Sequence, residues 1–433
     1  MKIKVDELSR DKLIEIVKKL IEENEKLKKE LKKYKNPHTP SSKVCFDKPQ
    51  ALGLPVGRKL GKKTGHAGKT RLADKPTREF LVETNENPRT GSTNIEETGE
   101  IKEIVITDFE INKIVTLYKL KEYCDLDTGE LFFANHSDIP DNGIFGKKVQ
   151  AFASTLHVEN RVTFEGIASI FTNVFNISMT SPTAMELCNR AAKKVSSRYE
   201  ALREKLRRSK VVYGDETSSN QNGKSEWLWG FFTINIAFFT FFTKRGGEII
   251  EQVLGKNFKG ILGCDGWITY KIFSEKHGIL LQRCWAHLIR EVKSICKGVQ
   301  DLDNAYTWMK DIFEKVKKTR KLKTESIRKK KYTELIQDMD RWIQIYSSRT
   351  SMRELITKVK NGKENWFTCV LHPEIEPTNN RAENGIRKFV ILRKIMNCLR
   401  SEQGKQTTQT LLSLCQTWKQ QKLNPYKQLQ SIL

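Results

Sequence analysis

The sequence predicts an α/β fold whose core is a mixed five-stranded sheet, with helices before the sheet and a helical insertion within its domain. The first observation is a series of short runs rich in β-branched and aromatic residues after position 210, namely VVYGDET, WLWGFFT and IAFFTFFT. Each run is too short for a globular helix, and Gly230, Thr233 and Asn235 divide the last two into a hairpin. The second observation is that helical and strand patterns alternate after this hairpin, which indicates antiparallel and parallel strands in one sheet.

Composition restricts the classes of function. The chain has 433 residues, more than one hydrophobic core usually organises, so we expect two or three domains. It has 77 Lys and Arg against 52 Asp and Glu, and a net charge of +25 is typical of proteins with a polyanionic partner. No long apolar run and no charged-then-apolar leader is visible, so we expect neither a membrane span nor secretion. The nine cysteines are scattered without a Cys-x-x-Cys pair, which indicates reduced thiols in a cytoplasmic protein.

Residues 1–36 predict a coiled-coil helix. Apolar residues recur in steps of four and three among Glu and Lys, which is the a and d pattern of about three heptads. Asn24 falls at an a position, where a polar side chain selects a paired register, so one interpretation is a parallel dimer. The alternative is a solvated helix that lies on its own domain. The a and d residues are Leu13, Val17, Leu20, Asn24, Leu27, Leu31 and Tyr34.

Residues 37–79 predict a basic linker rich in Gly and Pro. Five prolines interrupt the helical periodicity, and the run RKLGKKTGHAGKTR at 58–71 combines flexible Gly with basic side chains. Such a segment suits contact with DNA phosphates, because each neutralised phosphate releases counterions. A solvated spacer is the alternative. The candidate DNA-binding residues here are Lys62, Lys63, His66, Lys69 and Arg71.

Residues 80–145 predict a small β-rich module. Short runs of β-branched and aromatic residues occur at 104–106, 115–123 and 130–133, separated by Asn, Gly and Asp turns. Each run is of strand length, so we expect several short strands.

Residues 146–208 predict a helical region. Within it, a helix at 163–175 and a second helix from about Ser181 are separated by a short break, as in a helix-turn-helix that binds DNA. A helix pair without a DNA role is the alternative interpretation.

Residues 209–405 predict the domain of the mixed sheet, and residues 406–433 predict C-terminal helical packing. A charged helical segment at about 293–360 interrupts the alternation of strands and helices, which indicates an insertion. Another helix begins at Asn380. The elements expected after the hairpin are a helix at 248–254, a strand at 260–264, a helix at 269–275 and a fifth strand at 279–283.

Three acids in this domain suit a metal site. Asp215 is expected at the end of the first strand and Asp265 at the end of the fourth, and these two strand ends lie side by side in a sheet of this order. Glu383, on the helix that begins at Asn380, is the best third carboxylate, on one helical stripe with Arg387. Three such acids hold two Mg²⁺ or Mn²⁺ ions about 3.5 to 4 Å apart, which activate a water or a 3′-hydroxyl for attack on a phosphodiester.

Each acid also has a structural interpretation. Asp215 and Asp265 are compatible with turns, since Asp before Gly266 is an ordinary turn dipeptide. Glu383 follows Asn380 by three residues, the spacing of a capping box. Two strand-end acids and a helical acid in this order nevertheless favour the metal site when they are taken together.

The segment after the fifth predicted strand has further polar residues. Cys284 and His287 have the spacing of zinc ligands, but this pair supplies only two ligands, so a structural role is the preferred interpretation. Trp267 suits either stacking on an unpaired base or a buried position. Basic residues surround the acids in sequence and suit contact with a phosphate backbone. They are Arg283, Arg290, Arg381, Arg387, Lys388, Arg393, Lys394 and Arg400.

Several of these motifs together resemble the insertion-sequence-66 family of transposases. The motifs are GDET with WLW downstream, CDGW-x-x-Y, CWAH-x-x-R and HPEIEPTNNRAENGIRKFVILRK, in the order of that family. The resemblance covers about residues 6–420 and is strongest over 213–404. The run KKTGHAGKTR is similar to the Gly-His-x-Gly basic segment that family members have ahead of a zinc-binding module.

This resemblance implies an RNase H-like catalytic domain with an Asp-Asp-Glu triad, formed here by Asp215, Asp265 and Glu383. It also implies a helical insertion before the Glu, and hydrolysis at the ends of a mobile DNA element followed by strand transfer. Asn379 and Asn380 match the paired asparagines of the family, which implies a supporting role beside the Glu.

The chain departs from the family at two places. Its β-rich region has Cys124 where the family has Cys-x-x-Cys pairs, so zinc is not expected there. Thr378 stands where the family usually has Asp before the paired asparagines, which weakens the expected support of Glu383. Because the triad is intact, we do not infer an inactive remnant.

The sequence therefore predicts a DNA transposase that uses two Mg²⁺ or Mn²⁺ ions and no nucleotide cofactor. The expected partners are terminal inverted repeats, target DNA and further copies of the chain in a homodimer or higher oligomer. We expect a prokaryotic, nucleoid-associated location. The alternative is a catalytically inactive or domesticated DNA-binding protein that represses its own element, and a third interpretation is a structure-selective nuclease without strand transfer.

Overall fold

The computed structural model describes residues 18, 21–25, 75–297, 299, 302–397 and 399–433. Residues 18 and 21–25 are helical, as the heptad pattern predicts for that stretch. The other heptad positions and the basic residues Lys62, Lys63, His66, Lys69 and Arg71 lie outside the described residues. The dimer and the DNA contacts expected of them stay predictions.

The region at 80–145 contains less β structure than the sequence predicts. Two three-residue strands, β1 (Glu122–Cys124) and β2 (Leu131–Phe133), pair as an antiparallel hairpin. No strand forms at 104–106 in this described stretch, and only the last two residues of 115–123 belong to one. The prediction was wrong there because β-branched composition favours a strand only where a packed surface exists. Ile106 and Val115 are instead more than 80% exposed.

Residues 147–207 form four helices, with a helix pair where the sequence predicts one. Thr163 and Thr180 each begin a helix of the pair, because their hydroxyls accept the backbone N–H of Gly166 and Thr183. Asn176 lies between the two helices with a φ of 51°. The role of this pair in DNA binding stays a prediction. The helices are α1 (Lys147–Val158), α2 (Phe164–Asn173), α3 (Ser181–Lys194) and α4 (Ser196–Arg207).

The mixed five-stranded sheet is confirmed, and its strands are β3 (Val211–Gln221), β4 (Lys224–Phe232), β5 (Ala237–Phe242), β6 (Ile261–Cys264) and β7 (Leu281–Arg283). The first three are antiparallel neighbours, and β6 and β7 run parallel to β3, in the order β5-β4-β3-β6-β7. Asn222 and Gly223 connect β3 to β4 with φ of 48° and 82°, a conformation that these residue types favour in hairpins.

Helices cover both faces of the sheet. They are α5 (Gly247–Leu254), α6 (Ile268–His277), α7 (Trp285–Cys296), α8 (Asp303–Arg320), α9 (Glu325–Tyr346), α10 (Arg353–Lys360), α11 (Thr368–Leu371), α12 (Asn380–Met396), α13 (Glu402–Gln420) and α14 (Pro425–Ile432). Tyr213 and Leu228 face a core formed with α7 to α12. Val212 and Trp229 face a second core formed with α4, α5, α6 and α13. Neighbouring residues of a strand therefore enter different cores, as the alternation of side chains requires.

The helical segment after β7 is longer than the insertion predicted at 293–360. Helices α7 to α11 and two short 3₁₀ helices fill the chain between β7 and α12. The insertion shares a core with the sheet, since its residues Trp285 and Trp342 are buried in one cluster with Tyr213 and Leu228. None of the described helices is long and apolar enough to cross a membrane.

Candidate active site at the sheet edge

Asp215 lies on β3, and Asp265 directly follows the neighbouring strand β6. The parallel ladder between β3 and β6 includes the pair Tyr213 and Gly263. Asp215 comes two residues after Tyr213, and Asp265 comes two residues after Gly263, so the two acids are at equivalent positions along the chain. Because side chains two residues apart on a strand share a face, the Asp215 carboxylate belongs to the face of Tyr213, which packs against α7 to α12. Asp265 is close enough for its negative charge to raise the pKa of Asp215.

The position of Asp215 within its strand differs from the prediction. Asp215 lies in the middle of β3 and not at its end, because the antiparallel pairing with β4 extends the strand to Gln221. The parallel neighbour β6 does end at Cys264, directly before Asp265. Only Asp265 therefore lies at the end of a strand, where the sequence predicts both acids.

Asp265 also makes the turn that the structural interpretation expects. One of its carboxylate oxygens, Oδ1, accepts the backbone N–H of Trp267 at 2.9 Å. A carboxylate has about four lone-pair sites on two oxygens, so this hydrogen bond fixes its orientation without preventing it from binding a cation.

Glu383 is the third acid at this place. It lies in the first turn of α12, and the N-cap residue of this helix is Asn379, whose side-chain amide donates to the Gly214 carbonyl at 2.8 Å. This bond ties the start of the helix to the residue before Asp215. The capping-box interpretation is not supported, because the Asn379 side chain makes no capping bond. Asn380, the first helical residue, is exposed.

Electrostatics links the three acids. Burial raises the pKa of Asp215 well above its ordinary value, and the negative charges of Glu216, Asp265 and Glu383 raise it further. The neighbouring acids are thus close enough to oppose the ionisation of Asp215.

Glu216 is a site residue that the sequence argument missed. Its side chain is 1% exposed and follows Asp215 on the opposite face of β3. Arg245 donates to Glu216 Oε1 at 2.9 Å and the Tyr270 hydroxyl donates to Oε2 at 2.8 Å. Burial and the charge of Asp265 nevertheless raise the pKa of Glu216 to about 7.

The surroundings of Glu216 explain two motif residues. A side chain at Gly214 would meet the Tyr270 ring at 2.9 Å, so glycine lets Tyr270 reach across the strand to Glu216. Trp267 is half-buried, and the Arg245 guanidinium lies 3.5 Å from the centre of its ring. One face of the indole is therefore used to orient Arg245, and the buried interpretation of Trp267 describes it better than free stacking on a base.

Cys284 and His287 lie beside Glu383. Cys284 is buried at the start of α7, and its sulfur accepts the backbone N–H of Asn379 at 3.1 Å. Burial raises the pKa of the Cys284 thiol to about 11. His287 Nδ1 and Arg290 lie 3.5 Å and 3.3 Å from Glu383 Oε1. The structural role predicted for the Cys-x-x-His pair is thus compatible with direct contact to the third acid.

Two of the predicted phosphate-binding residues are placed elsewhere. Arg283 is 3% exposed and donates to the Lys358 carbonyl, and Arg393 is 9% exposed beside Thr217. The prediction of DNA contact was wrong for both, because their guanidinium groups are enclosed by protein. The residues that remain accessible for it are Arg290, Arg381, Arg387, Lys388, Lys394 and Arg400.

A family model described as "Transposase IS66 family" matches residues 142–407, more than half of the chain and all elements of this site. The chain belongs to the IS66 family of transposases. The region matched in this IS66-family chain begins just before α1 and ends within α13, so it includes the four helices before the sheet as well as the insertion.

One relative of this IS66-family chain is the "Uncharacterized protein y4qI" of Sinorhizobium fredii strain NGR234, with 23% identity over 261 residues. The alignment covers 53% of this chain and 48% of the relative. The chain therefore spans about half the length of the curated relative that it matches.

Proposed function

We propose that this IS66-family chain cleaves DNA at the ends of an insertion sequence and joins the freed 3′ ends to target DNA, with Asp215, Asp265 and Glu383 as catalytic carboxylates. The observation that supports this most is the convergence of three acids from two strands and one helix. The raised pKa of Asp215, caused by burial and by its acidic neighbours, is the electrostatic mark of that convergence.

The sheet supports an RNase H-like assignment of the domain. Three consecutive antiparallel strands are followed by two crossover-connected strands parallel to the first, with β3 in the centre. The resemblance predicts this arrangement together with a helical insertion ahead of the third acid. Asp215 on the central strand and Asp265 after its neighbour are the positions that such a site needs.

The donor set fits hard divalent cations. Asp215, Asp265 and Glu383 offer only oxygen, which Mg²⁺ and Mn²⁺ prefer, and a buried group of like charges is stabilised by a cation. Two such ions, when bound, supply a deprotonated nucleophile and stabilise the leaving oxygen of the phosphodiester. The protein itself supplies rigid orientation: Asn379 fixes the start of α12, and the turn at Trp267 fixes Asp265.

Exposed basic residues supply contacts for a DNA backbone. Arg387, Lys394 and Arg400 are solvent-exposed on or just after α12, the helix that contains Glu383. They position DNA without reading its sequence. Terminal repeats, oligomers of the chain and a nucleoid location belong to the same proposal.

The test is an assay on DNA that contains the inverted repeats found beside the gene. In Mg²⁺ the wild type is expected to cut at the repeat end and to give a joined product. Asp265→Asn and Glu383→Gln are expected to reduce cutting by at least ~10³-fold while DNA binding is kept. Glu334→Gln, at a half-exposed acid of the insertion, is the matched control and is expected to cut normally.

Three outcomes separate the alternatives. Cutting by both variants at the wild-type rate would reject the carboxylate assignment. Binding of repeat ends by the wild type without cutting in Mg²⁺ or Mn²⁺ would favour the repressor interpretation. Cutting without a joined product would favour a nuclease.

A further inference from the structure

The site contains a second group of donor atoms in addition to the three acids. The ligand atoms of Cys284, His287 and Glu383 all lie within 4.8 Å of one another. We propose that these three side chains bind a thiophilic divalent cation such as Zn²⁺, and that this cation withdraws Glu383 from Asp215 and Asp265. The binding site stands on its own geometry, whereas its inhibitory effect rests on the proposed function.

The donor set selects a different metal from the acids. A thiolate, an imidazole and a carboxylate are ligands that zinc combines in proteins, while Mg²⁺ prefers oxygen alone. Cys284 and His287, which are recognisable as a pair in the sequence, supply only two ligands. The fold adds Glu383 as the third, from a helix almost a hundred residues further along the chain.

The distances suit a tetrahedral site. Usual zinc bond lengths place donors about 3.4 Å apart for nitrogen and oxygen, and about 3.6 Å apart for sulfur and oxygen. His287 Nδ1 lies 3.5 Å from Glu383 Oε1, and Cys284 Sγ lies 4.0 Å from the same oxygen. Small side-chain rotations therefore close the site. Three protein ligands leave the fourth position for water, as in zinc sites that exchange ligands.

The backbone holds the first two ligands in place. Cys284 directly follows β7 and directly precedes α7, and His287 lies one turn later on the same face of the helix. The backbone N–H of Asn379 donates to the Cys284 sulfur at 3.1 Å, a contact that stabilises negative charge on a thiolate. The same residue begins α12 and so sets the position of Glu383.

Arg290 competes with a metal for Glu383. Its guanidinium lies 3.3 Å from Glu383 Oε1, and its side chain is 53% exposed, so it can turn into solvent when a cation binds. A positive charge at this distance opposes metal binding. Arg290→Gln is therefore expected to bind the metal more tightly than the wild type.

Cobalt spectroscopy tests the site without any catalytic readout. The full chain, under a phosphine reductant, is titrated with Co²⁺, and we expect a thiolate-to-cobalt charge-transfer band that saturates near one equivalent and disappears on addition of Zn²⁺. Cys284→Ser is expected to abolish the band, and His287→Gln and Glu383→Gln to weaken cobalt binding at least ~10-fold. Cys124→Ser, at an exposed cysteine of β1, is the matched control and keeps the band.

The proposal is overturned if the wild type gives no charge-transfer band, or if Cys284→Ser keeps it. His287→Gln alters a less buried residue, so it decides the matter if the Cys284 variant fails to fold, which its circular dichroism reveals.

The inhibitory part is measured as the ratio of Mg²⁺-dependent cutting with and without one equivalent of Zn²⁺. This ratio is expected to fall for the wild type and to stay near one for Cys284→Ser. Equal inhibition of both proteins would refute withdrawal of Glu383. A wild type that does not cut even without zinc would refute the proposed function, while the cobalt spectra still decide whether the metal site exists.

Discussion

Two neighbouring acids on opposite faces of the central sheet, Glu216 and Asp215, have opposite electrostatic surroundings. On one face, Glu216 is neutralised by Arg245 and held by the Tyr270 hydroxyl. On the other face, Asp215 forms no ion pair with a Lys or Arg in the described part of the chain, and the neighbouring acids raise its pKa. One charge is compensated within the protein and serves the fold, whereas our proposal assigns the other to a cation from solution.

The largest effect expected from this comparison is on DNA cutting. Asp215→Asn is expected to lower the rate at least ~10³-fold, because a neutral amide cannot replace a carboxylate that holds a metal. Glu216→Gln keeps its polar contacts and is expected to retain a rate within about tenfold of the wild type. Single-turnover cutting of repeat-end DNA measures both, and equal losses would show that the two faces do not differ in function.

The next largest effect is on stability, where a substitution of Glu216 is expected to be more harmful than one of Asp215. Glu216→Ala removes the carboxylate that pairs with Arg245, whose side chain is only 19% exposed. The free energy of unfolding is therefore expected to fall by about 3 kcal/mol. Asp215→Asn removes a repelled charge and is expected to leave stability unchanged or raised. Urea unfolding followed by tryptophan fluorescence compares the two, and greater destabilisation by Asp215→Asn would contradict the account.

A smaller effect is expected at Asn379, whose side chain connects the start of α12 to strand β3. Asn379→Ala loses its buried bond to the Gly214 carbonyl, so we expect a loss of about 2 kcal/mol in stability and a decrease in cutting. Asn384→Ala, at an exposed residue of the same helix, is the control and is expected to change neither quantity. Identical behaviour of the two variants would show that Asn379 does not position Glu383.

The smallest effect is a pH dependence remote from the site. Burial lowers the pKa of His157, which contacts the Val162 carbonyl and stacks on Phe164. Because the unfolded chain binds the proton more readily, the stability contributed by neutral His157 is complete above about pH 6.5 and falls as the pH decreases below that value. Denaturant unfolding between about pH 5 and 8 is expected to show a shallower decrease for His157→Gln than for the wild type.

The sequence predicted the elements whose patterns are local. The hairpin after β3, the alternation that gives β6 and β7, and the helix containing Glu383 were all visible as periodicity. Asp215 and Asp265 could be proposed as a pair because parallel strands bring equivalent positions together. The region at 80–145 was predicted less well, since its apolar runs resemble strands but pack on no surface.

Long-range partners could not be predicted from the sequence. Glu216 stands directly beside Asp215, yet its role depends on Arg245, which is 29 residues away and reaches it only in the folded sheet. Arg283 was predicted to bind DNA. The prediction failed because the insertion packs over Arg283 and buries it, which the sequence does not show. Glu383 as a partner of Cys284 and His287 likewise requires the fold.

The most direct test of the central claim is a crystal of the full chain soaked in Mn²⁺, with anomalous scattering collected at the manganese edge. The account predicts anomalous density between Asp215, Asp265 and Glu383, and its loss in Asp215→Asn. Absence of density there in crystals of the wild type, or density beside Glu216 instead, would contradict the account.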